Sequence, residues 1–231
     1  SVAVTRWRWQ RISLADAGTL SAAPAIGPDG TVYVGTTSGL HALALNGGET
    51  WLATVGAVTS SPAVARSDAG VDLVFYTSTS AGSGFLGARI GSSGAAADQC
   101  SALTSSGLGG VSLLDSVVGS VPRLSAVAVL NGAAAGTLFL LRPFDTTACT
   151  LSNFTSPIAQ GNGPVCDGDE VFYPGTDSVL HDYSLSTGAW VGNPSYPLNF
   201  TGALGPLALD SHGVHRVLVP ATGPAATSAY F

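Results

Sequence analysis

The chain has 231 residues and a formal charge of −6, with 45% hydrophobic and only 10% charged residues; all eight cations are arginine, and there is neither Lys nor Met. That balance excludes a phosphate-tracking nucleic-acid surface, which needs a basic stripe, and no apolar run reaches the roughly 18 residues of a membrane span. Thirty Gly and 13 Pro among many Ala, Ser, Thr and Val predict short strands and frequent turns, and every helical-period run is cut by Gly or Pro within two turns.

At the N-terminus Arg6-Trp7-Arg8-Trp9 alternates with period 2, as a strand with one solvated arginine face does; with Arg11 it forms the chain's one basic cluster. The first residues lack the charged start and apolar stretch of a secretion leader, and the absence of an initiating Met makes a processed or trimmed chain the expectation. The next segment introduces a repeat. Pro24-Ala-Ile-Gly-Pro-Asp-Gly-Thr-Val-Tyr-Val-Gly35 is echoed by Pro164-Val-Cys-Asp-Gly-Asp-Glu-Val-Phe-Tyr-Pro-Gly175, with Pro and Gly eleven positions apart in both. Downstream, Leu40-His41 matches Leu180-His181, Asn46-Gly47-Gly48 matches Ser186-Thr187-Gly188, and Trp51 and Trp190 close the two units. Each unit reads as three strands and the start of a fourth, with Asp29-Gly30 and Ser38-Gly39 as turn signals.

Shorter onsets of the same kind surround Pro62, Pro122 and Pro206, so that five prolines stand at 24, 62, 122, 164 and 206, at intervals of 38, 60, 42 and 42. Counting from Pro206 through the end and on to Pro24 leaves 49, and all but one interval approach a single propeller blade. Across that join, Trp9 falls ten positions after Tyr230, the same distance as His41 to Trp51. The expected fold is therefore all-β: a β-propeller of four-stranded antiparallel blades, five in number, with onsets near 21, 59, 119, 161 and 203. Residues 1–18 are expected to complete the last blade. Such closure removes open sheet edges.

Residues 21–51 closely resemble the PQQ-like repeat of quinoprotein dehydrogenases and of outer-membrane assembly propellers, and residues 161–190 carry the same resemblance. In the quinoprotein enzymes the resemblance would imply adjacent disulfide-bonded cysteines, a calcium ion on acidic and amide groups, and a Trp floor. This chain has no Cys-Cys pair and only two Glu, Glu49 and Glu170, both placed near turns and read as solvated. No position accepts the cofactor pocket, so no cofactor is expected.

The remaining candidates are weighed by position. Trp9, Trp51 and Trp190 are read as packing landmarks between blades, with sugar stacking as the alternative. His41 and His181 share one repeat position and are read as structural. His212 and His215 lack a third ligand, so no metal site is expected. Asp29, Asp68, Asp167 and Asp177 are explained by turns, while Asp115 and Asp210 flank strand starts and are the least explained acids. Cys149 stands 27 residues after Pro122, as Trp51 does after Pro24, and Cys100 lies in the preceding long unit. Cys100 to Cys149 is the preferred bridge in an oxidising compartment, and Cys166 is read as a buried free thiol. Asn153-Phe-Thr and Asn199-Phe-Thr are sequons, relevant only in a glycosylating host.

The function expected is a non-catalytic extracytoplasmic binding or scaffold propeller, in the periplasm, on the cell surface or secreted. It would engage a protein partner or larger surface assembly through one face or through loops at residues 80–120, where the 60-residue interval lies. Two alternatives stand beside it: a carbohydrate-binding five-bladed lectin-like propeller, and a glycoside hydrolase with carboxylates at the tunnel mouth.

Overall fold

The computed structural model describes residues 14, 18–102, 108–118, 121–130, 137–141, 149–153, 163–174, 179–185, 187, 189–190, 196–197, 203–204, 207–210, 216–219, 221–222 and 229–230, with strands and turns but no helix among them. The first sheet runs in the order β1 (Ala25–Ile26), β2 (Val32–Gly35), β3 (Leu40–Leu43), β4 (Glu49–Ala53). Its β1–β2 turn forms where Asp29-Gly30 predicts. Thr31 N–H donates to Asp29 Oδ1 at 2.9 Å, and Gly30 takes φ 85°, a left-handed conformation that favours glycine. These bonds to Thr31 hold the Asp29 carboxyl below the usual carboxylate range.

The second sheet contains β5 (Ala57–Val58), β6 (Ala63–Arg66), β7 (Asp72–Ser80), β8 (Ser83–Ile90) and β9 (Ala96–Ala102). Both β5 and β6 pair with β7, so together they make one interrupted innermost strand. The third is β10 (Leu108–Val118), β11 (Val121–Leu130), β12 (Thr137–Leu141), β13 (Cys149–Asn153). The fourth is β14 (Val165–Asp167), β15 (Glu170–Pro174), β16 (Val179–Ser184) and a split outer strand, β17 (Ala189–Trp190) with β18 (Tyr196–Pro197), both paired to β16. Last come β19 (Ala203–Leu204), β20 (Ala208–Asp210), β21 (Arg216–Val219), β22 (Ala221–Thr222) and β23 (Ala229–Tyr230), with β19 on β22 and β20–β21–β23 in order.

The repeated proline has a common physical role in two units: Pro62 lies between β5 and β6, and Pro24 between the Leu20–Thr36 bridge and β1, while Pro206 lies outside the described residues. A residue without an N–H breaks the innermost ladder, and the strand resumes after it. Pro122 differs. It stands in β11, the second strand of its sheet, opposite Val117, while the innermost strand β10 begins fourteen residues earlier at Leu108. The 60-residue interval is thereby resolved: residues 80–120 are not long loops but β8, β9 and β10, with 103–107 and 119–120 outside the described residues.

Both faces of the central strands are buried, and alternation decides which neighbour each side chain meets. On β7, Val74 and Tyr76 join Tyr33, Leu40, Ala42 and Val58 in a core shared with the first sheet. Leu73 and Phe75 turn the other way, onto Ala126, Ala128 and Leu141 of the third. On β11, Val127 and Val129 face Val171, Tyr173 and Tyr183 of the fourth sheet, which in turn sets Leu180 against Leu207 and Val217. Four cores between consecutive sheets make this a β-propeller with four-stranded antiparallel blades. Small residues permit the close packing: a Cβ on Gly87 would lie 2.5 Å from the Tyr76 ring.

Truncating Phe75, which has no solvent exposure, should therefore cost roughly 3–5 kcal/mol. Urea unfolding of Phe75→Ala by circular dichroism measures it.

Candidate functional site

Three clusters outside the apolar cores carry chemistry. The first is in the opening blade, where His41 of β3 is buried and Thr36 follows β2. The Thr36 hydroxyl accepts from the N–H groups of Ser38 (3.1 Å) and Gly39 (3.2 Å). Its single proton faces the Gly39 carbonyl oxygen at 3.1 Å and His41 Nε2 at 3.2 Å. With both hydroxyl lone pairs taken, Nε2 is the acceptor and Nδ1 carries the ring proton toward Glu49 Oε2, 3.2 Å away. The order hydroxyl–imidazole–carboxylate is that of a nucleophile relay. Thr36, however, is fully enclosed and pinned by four groups, so the arrangement acts as a strap across β2, β3 and β4. Glu49, read from sequence as merely solvated, is the third member of this strap. A His five residues after a turn-capping Thr and eight before a Glu has no sequence signature that separates it from ordinary turn chemistry.

His181 occupies the register position equivalent to His41, opposite Tyr173 where His41 stands opposite Val34. Its ring stacks on Tyr173, with centroids 5.1 Å apart and planes 16° from parallel. Two copies of one repeat position thus solve local packing differently.

The second cluster is the junction of the first two blades. Trp51 of β4 donates its indole N–H to the Gly91 carbonyl oxygen at 2.7 Å, and its ring lies where a Cβ on Gly94 would come within 2.7 Å. Tyr33 sits 5.8 Å from it, tilted by 39°. Arg89 reaches the Gly94 carbonyl oxygen at 3.4 Å. The indole is committed to the neighbouring blade's turn and is not offered as an open stacking platform. Trp9 lies outside the described residues; Trp190 is in β17 opposite Tyr183, its side chain outside them.

The third cluster is on the fourth blade. Asp182 of β16 stands opposite Phe172, one diagonal step from Glu170. Its Oδ1 is buried with no hydrogen-bond partner. Burial, and secondarily the Glu170 charge, push its carboxyl up to about 6. Asp169 is held by Ser184, whose hydroxyl donates to Oδ2 at 2.8 Å. Cys166 is a free thiol that burial pushes up to about 12, against a weaker opposing bond from Ser112, so it is not a thiolate nucleophile at neutral pH.

Other sequence candidates fall as follows. Asp115 stands opposite Leu124 in the β10–β11 ladder, and Asp210 opposite Arg216 at the β20–β21 hairpin. Cys100 is in β9 opposite Leu86 and Cys149 in β13 opposite Leu141; their side chains, and so their pairing, lie outside the described residues. His212, His215, Asp177, Asn199, Arg6, Arg8 and Arg11 also lie outside them. Among the described residues, no three His, Cys, Asp or Glu side chains converge as a metal site would require.

In the third blade β11 pairs with β12 over Ala126–Val129 and with β10 from Leu130 to Val121; residues 142–148, which follow β12, lie outside the described residues.

No family model matches this sequence, and no curated protein matches it. Solved structures match the fold. A dihydro-heme d1 dehydrogenase, NirN, in complex with DHE superposes with a TM-score of 0.57 at 16% identity over 92% of this chain. BBS1N in complex with ARL6DN gives 0.55 at 13% over 83%, and KlAtg21 with the coiled coil of AgAtg16 gives 0.52 at 9% over 89%. The match spans 45%, 58% and 68% of those chains respectively. The chain therefore equals about half the length of the first two. At these identities the likeness is one of fold, shared by an enzyme and by propellers solved with protein partners.

Two outcomes test the polar clusters. Thr36→Val leaves two buried N–H groups without an acceptor and should cost about 1–3 kcal/mol, read as a loss in urea midpoint. For Asp182 the native carboxyl binds its proton more tightly than the unfolded one. Stability is thus greatest at low pH and declines as pH rises from about 4 to the native value near 6. Asp182→Asn should raise Tm at pH 7.5 by about 2–4 °C, after discounting for the group's partial exposure. That gain should vanish near pH 4 in a pH series of thermal melts.

Proposed function

We propose that this chain is a non-catalytic protein-binding propeller, built of PQQ-like repeats in five blades and working outside the cytoplasm. Its partner engages one face of the ring, where the turns between blade strands gather. The observation that carries the reading is how the chemistry-bearing side chains of the first blade are spent: Thr36, His41 and Glu49 strap β2, β3 and β4 together, and the Trp51 indole N–H is bonded into the second blade, which leaves the ring's faces to meet a partner.

Composition supports an extracytoplasmic setting, with few charges, no Lys and a Cys100–Cys149 pair available to an oxidising compartment. Two of the structural neighbours, BBS1N with ARL6DN and KlAtg21 with the AgAtg16 coiled coil, carry protein partners on rings of this fold. A sugar-stacking reading finds less support, because Trp51 spends its N–H and one ring face on the next blade.

The test identifies partners by quantitative affinity capture from the native source with the intact chain, titrates them as purified proteins, and maps the contact by hydrogen exchange. A purified partner should form a saturable complex and protect turns at one face of the ring, and Thr36→Val should leave its affinity unchanged. No saturable binding by any purified candidate overturns the reading.

A further inference from the structure

Arg89 of β8 is a half-buried charge with no opposite charge beside it among the described residues. It stands opposite Val74, on the face of the second blade that meets the first. Arg66, by comparison, is held by Asp72 at 2.7 and 3.0 Å, and His41 by Glu49 at 3.2 Å. The strand acids of its own sheet do not serve it: Asp72 is taken by Arg66, and Asp98, opposite Ala88, belongs to the face toward the third blade. Acids are not scarce in this chain, which has 14 of them against eight arginines. A charge partly withdrawn from water costs free energy unless it is paired.

The guanidinium is nevertheless held in place, at two points. Its Nε–H donates to the Tyr76 phenol oxygen at 3.4 Å, and Nη1 donates to the Gly94 carbonyl oxygen at 3.4 Å. Tyr76 is fully buried, and its ring lies where a Cβ on Gly87 would come within 2.5 Å, so the phenol is fixed behind the arginine. Burial raises the phenol's pKa, while the bond from Arg89 and its charge oppose this, so Tyr76 meets the arginine as a neutral phenol and not as a phenolate. Both anchors are therefore uncharged. A guanidinium carries five N–H donors; with Nε and one Nη1 hydrogen spent, both Nη2 hydrogens and the second Nη1 hydrogen have no acceptor among the described residues. The turn that supplies Gly94 is exposed at Ser92, Ser93 and Ala95, so the outer edge of Arg89 is reachable where the turns gather at a ring face.

We infer that Arg89, positioned by Tyr76 and Gly94, is a carboxylate-binding site in the seam between the first and second blades, and that its ligand is an acidic side chain of the protein partner. The second half rests on the protein-binding reading above. A carboxylate presents two oxygens in one plane, which a guanidinium edge receives as a pair of charge-assisted hydrogen bonds. A phosphate dianion fits less well, because Arg89 brings one positive charge and Arg66 is already neutralised by Asp72. Tyr76 and the Gly94 carbonyl act as positioning groups: they fix the fork before the ligand arrives, which lowers the cost of ordering it on binding.

The experiment records nitrogen–proton NMR spectra of the intact, isotope-labelled chain while sodium acetate is titrated against sodium chloride at equal ionic strength. The Arg89 Nε–H signal, assigned by its loss in Arg89→Gln, and the amides of residues 91–95 should shift saturably with acetate, and chloride should bind about tenfold more weakly. In Arg89→Lys, which keeps the charge but loses the fork, the saturable shift at residues 91–95 should disappear. Shifts that match those in chloride, or never saturate, overturn the site; sulfate binding tighter than acetate overturns the carboxylate assignment. With the purified partner, Arg89→Gln should lose about tenfold in affinity. Equal affinity of the two chains overturns the pairing of the partner with Arg89 and leaves the protein-binding reading standing. The acetate titration needs no partner, so failure of that reading is told apart from failure of the site.

Discussion

Burial of both faces of each central strand is the constraint on which the rest of this structure depends. A sheet that covers one face only can alternate apolar and polar residues, but β7 and β11 place apolar side chains on successive positions: Leu73-Val74-Phe75-Tyr76 and Ala126-Val127-Ala128-Val129. Each odd residue serves one core and each even residue the other. A blade therefore has no stable existence without neighbours on both sides. Every irregularity in one blade is transmitted to the packing of the next. Three small residues, Ala126 and Ala128 on β11 and Ala88 on β8, make room for Phe75 in the core between the second and third blades, as interior packing density demands.

Polar groups inside such a stack need hydrogen-bond partners, whether in their own blade or, as for the Trp51 indole and the Thr77 hydroxyl, beyond it. The Thr36–His41–Glu49 strap does this for the first blade, ordering the corner that leads from β2 into β3 while reaching out to β4. The fourth blade, with the same histidine position, relies on ring stacking against Tyr173. It also leaves Asp182 incompletely satisfied beside Glu170, and its raised carboxyl is the physical signature of that deficit. Such a local weakness is tolerable where cores on both sides hold the sheet.

The third blade departs from its neighbours in its innermost strand, which runs over eleven residues without the proline break of the first and second units. Its own proline, Pro122, stands instead in the second strand opposite Val117. A missing N–H is tolerated in the first and second units because the innermost ladder is broken there.

Much of this was legible in the chain alone. The repeat at Pro24 and Pro164, the turn residues and the period-2 apolar pattern determined an all-β propeller with four-stranded blades, because local backbone and side-chain preferences act over a few residues and recur with each unit. The position of Tyr230 in a third strand also followed from spacing. What the chain alone could not decide was anything that depends on which strand a residue joins. Pro122 carried the onset signature yet lies in a second strand, and residues 80–120 looked like an insertion yet form β8, β9 and β10. Glu49 is exposed, as expected, and what the chain could not show is that it also completes the strap with His41. In each case the deciding quantity is a ladder register or a contact between residues distant in sequence, and such contacts are fixed by how whole sheets pack, not by the propensity of the segment itself.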